Sequence, residues 1–264
     1  MTRPSCQDTL LIKKRDLKNN YFSATFRTYS RVDQCRPGQF VHIQIPSAEI
    51  YFRRAMSIAG VSSRRREIEV IFKVVGRGTR QLGNLHEKDR VNLLGPLGVP
   101  FRWPRKSETA VIVAGGVGFP PLLYLASEMV KRGHDPRRIE FFYGGRSSAD
   151  LIERSRIRKL GVRFHPVTED GSVGEKGLVT GPVEEFVRRA PNRHLRLYGC
   201  GPEGMLKATN ELGVRLKVPG QISLEAPMPC GIGICLGCVV PLVGGGHARV
   251  CWDGPVFEIG EVAL

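Results

Sequence analysis

The sequence of 264 residues contains no long apolar segment. Its most hydrophobic stretch, Ala110–Ala114, ends at two glycines, whereas a membrane-spanning helix needs roughly 20 apolar residues. Residues 1–8 are polar, and residues 10–12 are too few to form the apolar core of a secretory signal peptide. These absences argue against a membrane or secreted protein, and we expect a cytoplasmic chain whose cysteines stay reduced.

Acidic residues are scarce beside basic ones, with 25 Asp and Glu against 40 Lys and Arg, so the formal net charge is +15. Such a charge raises the question of nucleic acid. However, no aromatic residues are interleaved with the basic runs at 13–15, 64–66 and 137–138, and none of these runs lies in a recognisable nucleic-acid-binding motif. We therefore expect no nucleic-acid partner, and we assign the excess charge to solvated faces, anionic ligands and an acidic partner surface.

Cysteines are few in the first two hundred residues and concentrated near the end of the chain. Four of them follow the spacing C-x4-C-x2-C, with twelve residues before the last, and are Cys230, Cys235, Cys238 and Cys251. This is the plant-type [2Fe–2S] spacing, in which four thiolates hold two irons. Glycines within the segment CGIGICLGC let backbone N–H groups approach the sulfides. The pattern predicts one-electron chemistry.

Two other interpretations of these cysteines remain open. A zinc ribbon normally has two C-x2-C pairs, and only Cys235 and Cys238 form one here. Two disulfides would suit a secreted protein, for which no signal peptide is present. The six histidines show no mutual spacing typical of a metal site, so we expect them to be ordinary strand or surface residues.

The fold class predicted from the sequence is β + α/β. Short apolar runs alternate with Pro and Gly turn signals at 21–28, 39–45, 55–59, 68–74 and 90–94, which predicts an antiparallel β-barrel domain over 1–104. Strands then alternate with helices, which predicts a parallel, doubly wound nucleotide-binding domain over 105–218. Residues 219–264 would form a small cluster-binding module.

Two motifs in the first domain suit a flavin dinucleotide. Arg54-Ala55-Met56-Ser57 offers a forked guanidinium for a diphosphate and a hydroxyl for the flavin, although Arg54 alone could equally cap a strand. About 20 residues later, Ile71-Phe72-Lys73 ends a strand, and Gly76-x-Gly78-Thr79 opens a predicted helix. A glycine-rich turn at a helix N-terminus is a site for phosphate.

Two turns in the second domain suit a nicotinamide nucleotide. Gly115-Gly116-Val117-Gly118 joins a buried strand to a helix and permits close approach of a pyrophosphate, but it is not the G-x-G-x-x-G fingerprint. Tyr198-Gly199-Cys200-Gly201-Pro202 follows a later strand, at the edge where open α/β sheets bind ligands. Cys200 could contact a nicotinamide there or be a small buried thiol.

Taken in order, the segments RAMS, GRGT, AGGVGFPPLL and YGCGPEGM resemble the ferredoxin–NADP reductase superfamily. The segments CGIGICLGC and VCWDGPVF strongly resemble the electron-transfer subunits of NAD-dependent dihydroorotate dehydrogenases, and the resemblance runs from about Leu11 to Val262. It implies that FAD is bound by Arg54, Ala55, Met56, Ser57, Ile71, Phe72, Lys73, Gly78 and Thr79. It implies that NAD(H), as co-substrate, meets Gly115, Gly116, Gly118, Cys200, Gly201 and Pro202. Iron would be ligated by Cys230, Cys235, Cys238 and Cys251.

The resemblance also implies a partner, an FMN-containing catalytic subunit, in a heterotetramer of two subunits each. Electrons would pass from that FMN through the [2Fe–2S] cluster to FAD and then to NAD+, so we expect no catalytic acid or base in this chain. Met56 stands where the superfamily has an aromatic residue, and Ala55 where many members have proline. Two alternatives are the small flavin–iron–sulfur subunit of an NAD(P)H-dependent ferredoxin or sulfide reductase and, more distantly, a non-enzymatic redox sensor.

Overall fold

The N-terminal part of the chain forms a closed antiparallel barrel, as predicted. The structure is a computed structural model that describes residues 4–28, 32–190 and 194–264. The barrel order is β1-β2-β5-β4-β3-β6. Its strands are β1 (Ser5–Asp16), β2 (Tyr21–Arg27), β3 (Phe40–Ile43), β4 (Arg54–Ser62), β5 (Glu67–Lys73) and β6 (Arg90–Leu97). Helix α1 (Arg77–Asn84) follows β5 and begins at the glycine-rich turn.

Strand β1 was not predicted from the sequence, although it is the longest strand of the barrel. It pairs with both β2 and β6 and thereby closes the barrel. Only Thr9 and Leu11 among its twelve side chains are buried, and its last four residues are the charged sequence KKRD. Its apolar alternation is therefore too weak to indicate a strand.

The second part of the chain is a seven-stranded, doubly wound sheet in the order β10-β9-β8-β7-β11-β12-β15. Its strands are β7 (Thr109–Gly115), β8 (Ile139–Gly145), β9 (Arg163–Thr168), β10 (Glu175–Lys176), β11 (Leu195–Cys200), β12 (Gly220–Ser223) and β15 (Val256–Glu258). Its helices are α2 (Phe119–Lys131), α3 (Arg154–Lys159), α4 (Thr180–Arg189) and α5 (Glu203–Arg215). All pairs are parallel except β12 with β15.

Strand β7 lies at the centre of this sheet and is buried on both faces. Ala110 and Ile112 pack with residues of α2 and α3, whereas Val111 and Val113 pack with residues of α4 and α5. A continuous apolar run is what a parallel strand with helices on both faces requires. The predicted fold class is confirmed at this level.

The C-terminal segment packs against the barrel and also completes the sheet. Between β12 and β15 it contains a hairpin of β13 (Val239–Pro241) and β14 (His247–Arg249). Phe40 and Leu97 of the barrel share one hydrophobic core with Cys238 and Cys251 of this segment. The sheet thus continues beyond residue 218, and the divisions at 104 and 218 remain predictions. Among the helices of the described residues, none has the length and apolarity needed to cross a bilayer.

Candidate flavin, nicotinamide and iron–sulfur sites

A cavity of about 400 Å³ lies where the barrel, the sheet and the C-terminal segment meet. It brings together predicted residues from four motifs that are far apart in the chain. From the barrel these are Arg54, Ala55, Met56, Ser57 and Ile71. From the carboxyl edge of the sheet they are Gly118, Cys200 and Gly201. One cavity can therefore place a flavin ring beside a nicotinamide.

Arg54 points toward the first turn of helix α1. A Cβ at Gly78 would overlap its guanidinium, so glycine at this position makes room for the arginine. The guanidinium donates to the carbonyl of Phe52 at 2.7 Å, and Thr79 Oγ1 accepts from the backbone N–H groups of Val75 and Gly76 at 3.0 and 3.1 Å. A forked cation next to a helix N-terminus fits the diphosphate of a dinucleotide.

Two of the predicted FAD residues direct their side chains away from the cavity. Phe72 is buried in the barrel core, where it stacks on Phe22 at 5.9 Å between ring centroids. The Lys73 ammonium pairs with Asp150 at 3.1 Å and lies 4.8 Å from the ring centroid of Tyr21. The side chains of Phe72 and Lys73 thus stabilise the barrel and its junction with the sheet, and only their backbone remains available to a flavin.

The two predicted nicotinamide turns lie side by side because β7 and β11 are neighbouring parallel strands. A Cβ at Gly118 would overlap the carbonyl group of Cys200, and one at Gly115 would lie 2.8 Å from Cδ of Pro202. Gly116 has φ of +49° and open space around it. The glycines are therefore what allows the turns to meet and leaves room for a ligand.

Cys200 lies at the end of β11, on the wall of the cavity. Burial raises the pKa of its thiol to about 12, and a hydrogen bond with Ser223 opposes the effect only in part. The thiol is therefore protonated at neutral pH, which suits a small neutral group against a nicotinamide ring and not a nucleophile.

Several residues that line the cavity were not expected from the sequence. The residues in question are Phe40, Phe52, Arg53, Val117, Pro255 and the run Ser223–Pro229. The density of proline at 227 and 229 was the available signal in the sequence. It could not indicate a flavin wall, because the flavin motif Arg54–Ser57 precedes it by more than 150 residues.

The four predicted iron ligands are arranged as two pairs. Sγ of Cys238 lies 3.3 Å from Sγ of Cys251, and the thiols of Cys230 and Cys235 are hydrogen-bonded to each other. In the described part of the chain, no three His, Cys, Asp or Glu side chains converge as one metal ion would require. None of the four forms a disulfide. Two thiol pairs fit a binuclear cluster with two thiolates on each iron.

Backbone N–H groups around the thiols prepare the loop for anionic sulfur. Gly233 N–H donates to Sγ of Cys251 at 3.2 Å, and Gly237 N–H donates to Sγ of Cys235 at 3.4 Å. Burial tends to raise the pKa of Cys230, but N–H donors, first among them that of Cys235, lower it to about 6. Such a thiol loses its proton readily to a metal.

The loop that holds the thiols presents an apolar surface to solvent. Ile234 is 75% exposed and Leu236 is 61% exposed, and Cys235 lies between them on the same surface. Trp252, next to the fourth cysteine, is partly exposed, and Arg249 pairs with Asp253 beside it at 2.9 Å. Exposed large apolar side chains close together are typical of a protein interface.

Comparison with protein families assigns the two C-terminal parts of the chain. Residues 225–263 match the model of the iron–sulfur cluster binding domain of dihydroorotate dehydrogenase B. Residues 112–211 match the oxidoreductase NAD-binding domain. The first match spans all four candidate cluster ligands, and the second spans both glycine-containing turns at the carboxyl edge of the sheet.

Similar proteins were found across almost the whole chain. The chain is 36% identical over 260 residues to the dihydroorotate dehydrogenase B (NAD(+)) electron transfer subunit of Lysinibacillus sphaericus, covering 96% of this chain and 97% of that protein. It is also 36% identical to the corresponding subunit of Shouchella clausii, with 87% of each chain covered. A chain of an NADH-dependent reduced ferredoxin–NADP oxidoreductase superimposes with a TM-score of 0.85 at 27% identity, covering 97% of this chain and 89% of that one.

Proposed function

The chain belongs to the family of dihydroorotate dehydrogenase B electron transfer subunits, and we propose that it carries electrons from a catalytic partner subunit to NAD+. The observation that carries this proposal is the single cavity bounded by the flavin motif, the nicotinamide turns and the segment leading into the cluster loop. When bound, the [2Fe–2S] cluster moves single electrons and FAD supplies hydride chemistry.

Each part of the chain has a binding role in this function. The flavin residues are those of the RAMS motif with Ile71, Phe72, Lys73, Gly78 and Thr79, and Arg54 neutralises the diphosphate. The turns at Gly115–Gly118 and Cys200–Pro202 orient the nicotinamide against the flavin. The run Ser223–Pro229 lines the same cavity, where it would keep water from the reacting rings. The chain itself contributes no acid or base, because the proton chemistry on dihydroorotate belongs to the FMN-containing partner.

The partner is expected to bind on the apolar surface around Cys235. Ile234, Leu236 and Trp252 are exposed there, next to the cluster ligands. Single-electron transfer requires the cluster close to the partner's flavin, so this surface is the natural contact. We propose a cytoplasmic heterotetramer with two copies of each subunit. We expect part of the excess of 15 Lys and Arg to lie on this face, opposite an acidic surface of the partner, so association should weaken as salt rises.

The function is tested with the purified chain and its cognate catalytic subunit. The chain alone should contain iron, acid-labile sulfide and FAD, and NADH should bleach its flavin absorbance. It should not oxidise dihydroorotate until the partner is added. Dihydroorotate oxidation by the chain alone, or normal transfer by a complex lacking the cluster, would contradict the proposal.

The structural similarity to a ferredoxin–NADP oxidoreductase chain supports a second candidate. In that case the same cofactors would serve an NAD(P)H-dependent ferredoxin reductase as its small subunit. The two functions are separated by supplying either dihydroorotate with the cognate FMN subunit or reduced ferredoxin, and by measuring NADH formation. Under the primary proposal, only dihydroorotate with the cognate FMN subunit should support NADH formation.

A further inference from the structure

His42 lies at the junction between the flavin-binding strand and the cluster loop. It is on β3, its side chain is fully buried, and its cross-strand partner is Ala55 of the RAMS motif. On its other side, a Cβ at Gly231 would lie 2.7 Å from both Nδ1 and Cε1 of the ring. Gly231 directly follows the candidate iron ligand Cys230. The imidazole therefore occupies the space that a side chain at 231 would need.

A second ring, that of Phe40, packs against His42. Phe40 is two residues before His42 on the same strand, so both side chains face the same side of the barrel. Phe40 lines the flavin cavity and shares a hydrophobic core with Cys238 and Cys251. The two rings meet edge to face at 6.0 Å between centroids. Phe40 thus borders both the flavin cavity and the core that contains Cys238 and Cys251, and His42 packs against its ring.

Both ring nitrogens of His42 are buried, and their hydrogen bonding decides what the ring can do. Among the residues that the structure describes, neither Nδ1 nor Nε2 has a hydrogen-bond partner, although both are buried. Burial lowers the pKa of His42 to about 4, with Arg53 and Arg54 acting in the same direction. The carbonyl of Met228 acts in the opposite direction, but it does not reach hydrogen-bond geometry with the ring. The ring is therefore neutral, and it keeps one N–H donor that is costly to leave unpaired.

We propose that His42 is a positioning residue whose Nδ1–H donates a hydrogen bond to sulfur of the [2Fe–2S] cluster. Nδ1 is the ring nitrogen on the edge that faces the cluster loop at Gly231. Four thiolates and two sulfides make the cluster an anionic acceptor, and an added electron increases its negative charge. A donor at this place stabilises the reduced cluster, and hydrogen bonds to sulfur are known to set cluster potentials. The proposal rests on the cluster that the proposed function requires.

The test compares the midpoint potential of the cluster, followed by EPR, in wild-type protein and in His42→Phe. Loss of the donor should lower the reduced-to-oxidised ratio at a given potential about tenfold, which is a shift of about 59 mV to more negative values for one electron. His42→Asn keeps a donor at the position of Nδ1 and should restore part of the shift. His134→Phe is the matched control, because His134 is also buried with an unpartnered Nε2 but lies on the loop after α2.

A His42 variant that does not bind the cluster gives no potential to compare, so a second measurement is made on the wild type. Pulsed EPR of the reduced, histidine-15N-labelled chain should detect one coupled ring nitrogen, and His42→Asn should abolish this signal. An unchanged potential in iron-loaded His42→Phe, an equal shift in His134→Phe, or no nitrogen coupling in the wild type would overturn the proposal. Absence of iron and sulfide from the wild type would instead refute the proposed function, so the two failures are distinguishable.

Discussion

Replacing Arg54 by alanine should selectively weaken FAD binding. The Arg54 guanidinium lies against the first turn of α1 at Gly78, and it donates hydrogen bonds to the backbone carbonyls of Phe52 and Arg53. No carboxylate in the described residues forms a salt bridge with it. Its removal therefore leaves no buried acid unpaired, and the main loss is the interaction with the diphosphate.

The size of the effect follows from the type of contact. A hydrogen bond to a charged group contributes roughly 1.5–3 kcal/mol, which corresponds to about ten- to hundredfold in a dissociation constant. Arg54 is half-buried and partly screened by water, so the lower part of this range is expected. Arg54→Lys keeps the charge but loses the fork, and it should fall between alanine and wild type.

The assay is a fluorescence titration of FAD into apoprotein, with thermal unfolding of the same apoprotein as the check on folding. Arg137→Ala is the control, because the Arg137 side chain is 81% exposed, pairs with Asp135 and is not among the residues that line the cavity. It should leave the dissociation constant unchanged. Equal FAD affinity in Arg54→Ala and wild type would refute the assignment of the RAMS motif.

Three further predictions concern the cluster, the nicotinamide turns and the pH dependence of stability. Cys235→Ser should lose iron and labile sulfide but retain FAD, because the thiols lie in a separate loop; zinc in wild-type protein in place of iron would contradict this. Gly118→Ala places a Cβ on the carbonyl of Cys200, so NADH should reduce the flavin at least about tenfold more slowly while FAD content stays constant in the absorbance spectrum. Burial raises the pKa of Glu69, but bonds to Arg156 and other donors outweigh it and leave that pKa below its ordinary value. Its contribution to stability is thus present above the unfolded pKa and lost as pH falls through the folded one, so urea unfolding should show wild type losing its advantage over Glu69→Gln on acidification.

Much of the fold could be predicted because its signals are local and strong. The run Ala110–Ala114 followed by glycines predicted a buried parallel strand and a turn, and the structure has both. Strand β1 lacked such a signal, because its position depends on pairing with β6, about 85 residues away, and not on its own apolar pattern. A strand that closes a barrel can be polar along most of its length, since its partners supply the hydrogen bonds.

The candidate site residues show the same contrast between local signals and long-range contacts. The spacing of Cys230, Cys235 and Cys238 indicated a cluster from nine residues of sequence, because the ligands share one short loop whose geometry the glycines permit. His42 was expected to be an ordinary strand residue, and no pattern in the sequence distinguishes it from the other histidines. Its burial beside Gly231 arises only when the C-terminal segment folds back onto β3.

By itself, the sequence determined which cofactors this chain is suited to bind, because those motifs are contiguous and their chemistry depends on residue type and spacing. Only the tertiary structure decided how the sites relate to one another. The cavity shared by Arg54, Cys200 and Met228, the core shared by Phe40 and Cys251, and the contact of His42 with Gly231 join residues separated by up to about two hundred positions. The physical reason is that such contacts depend on barrel closure and on the return of β15 to the sheet, which short-range patterns do not encode.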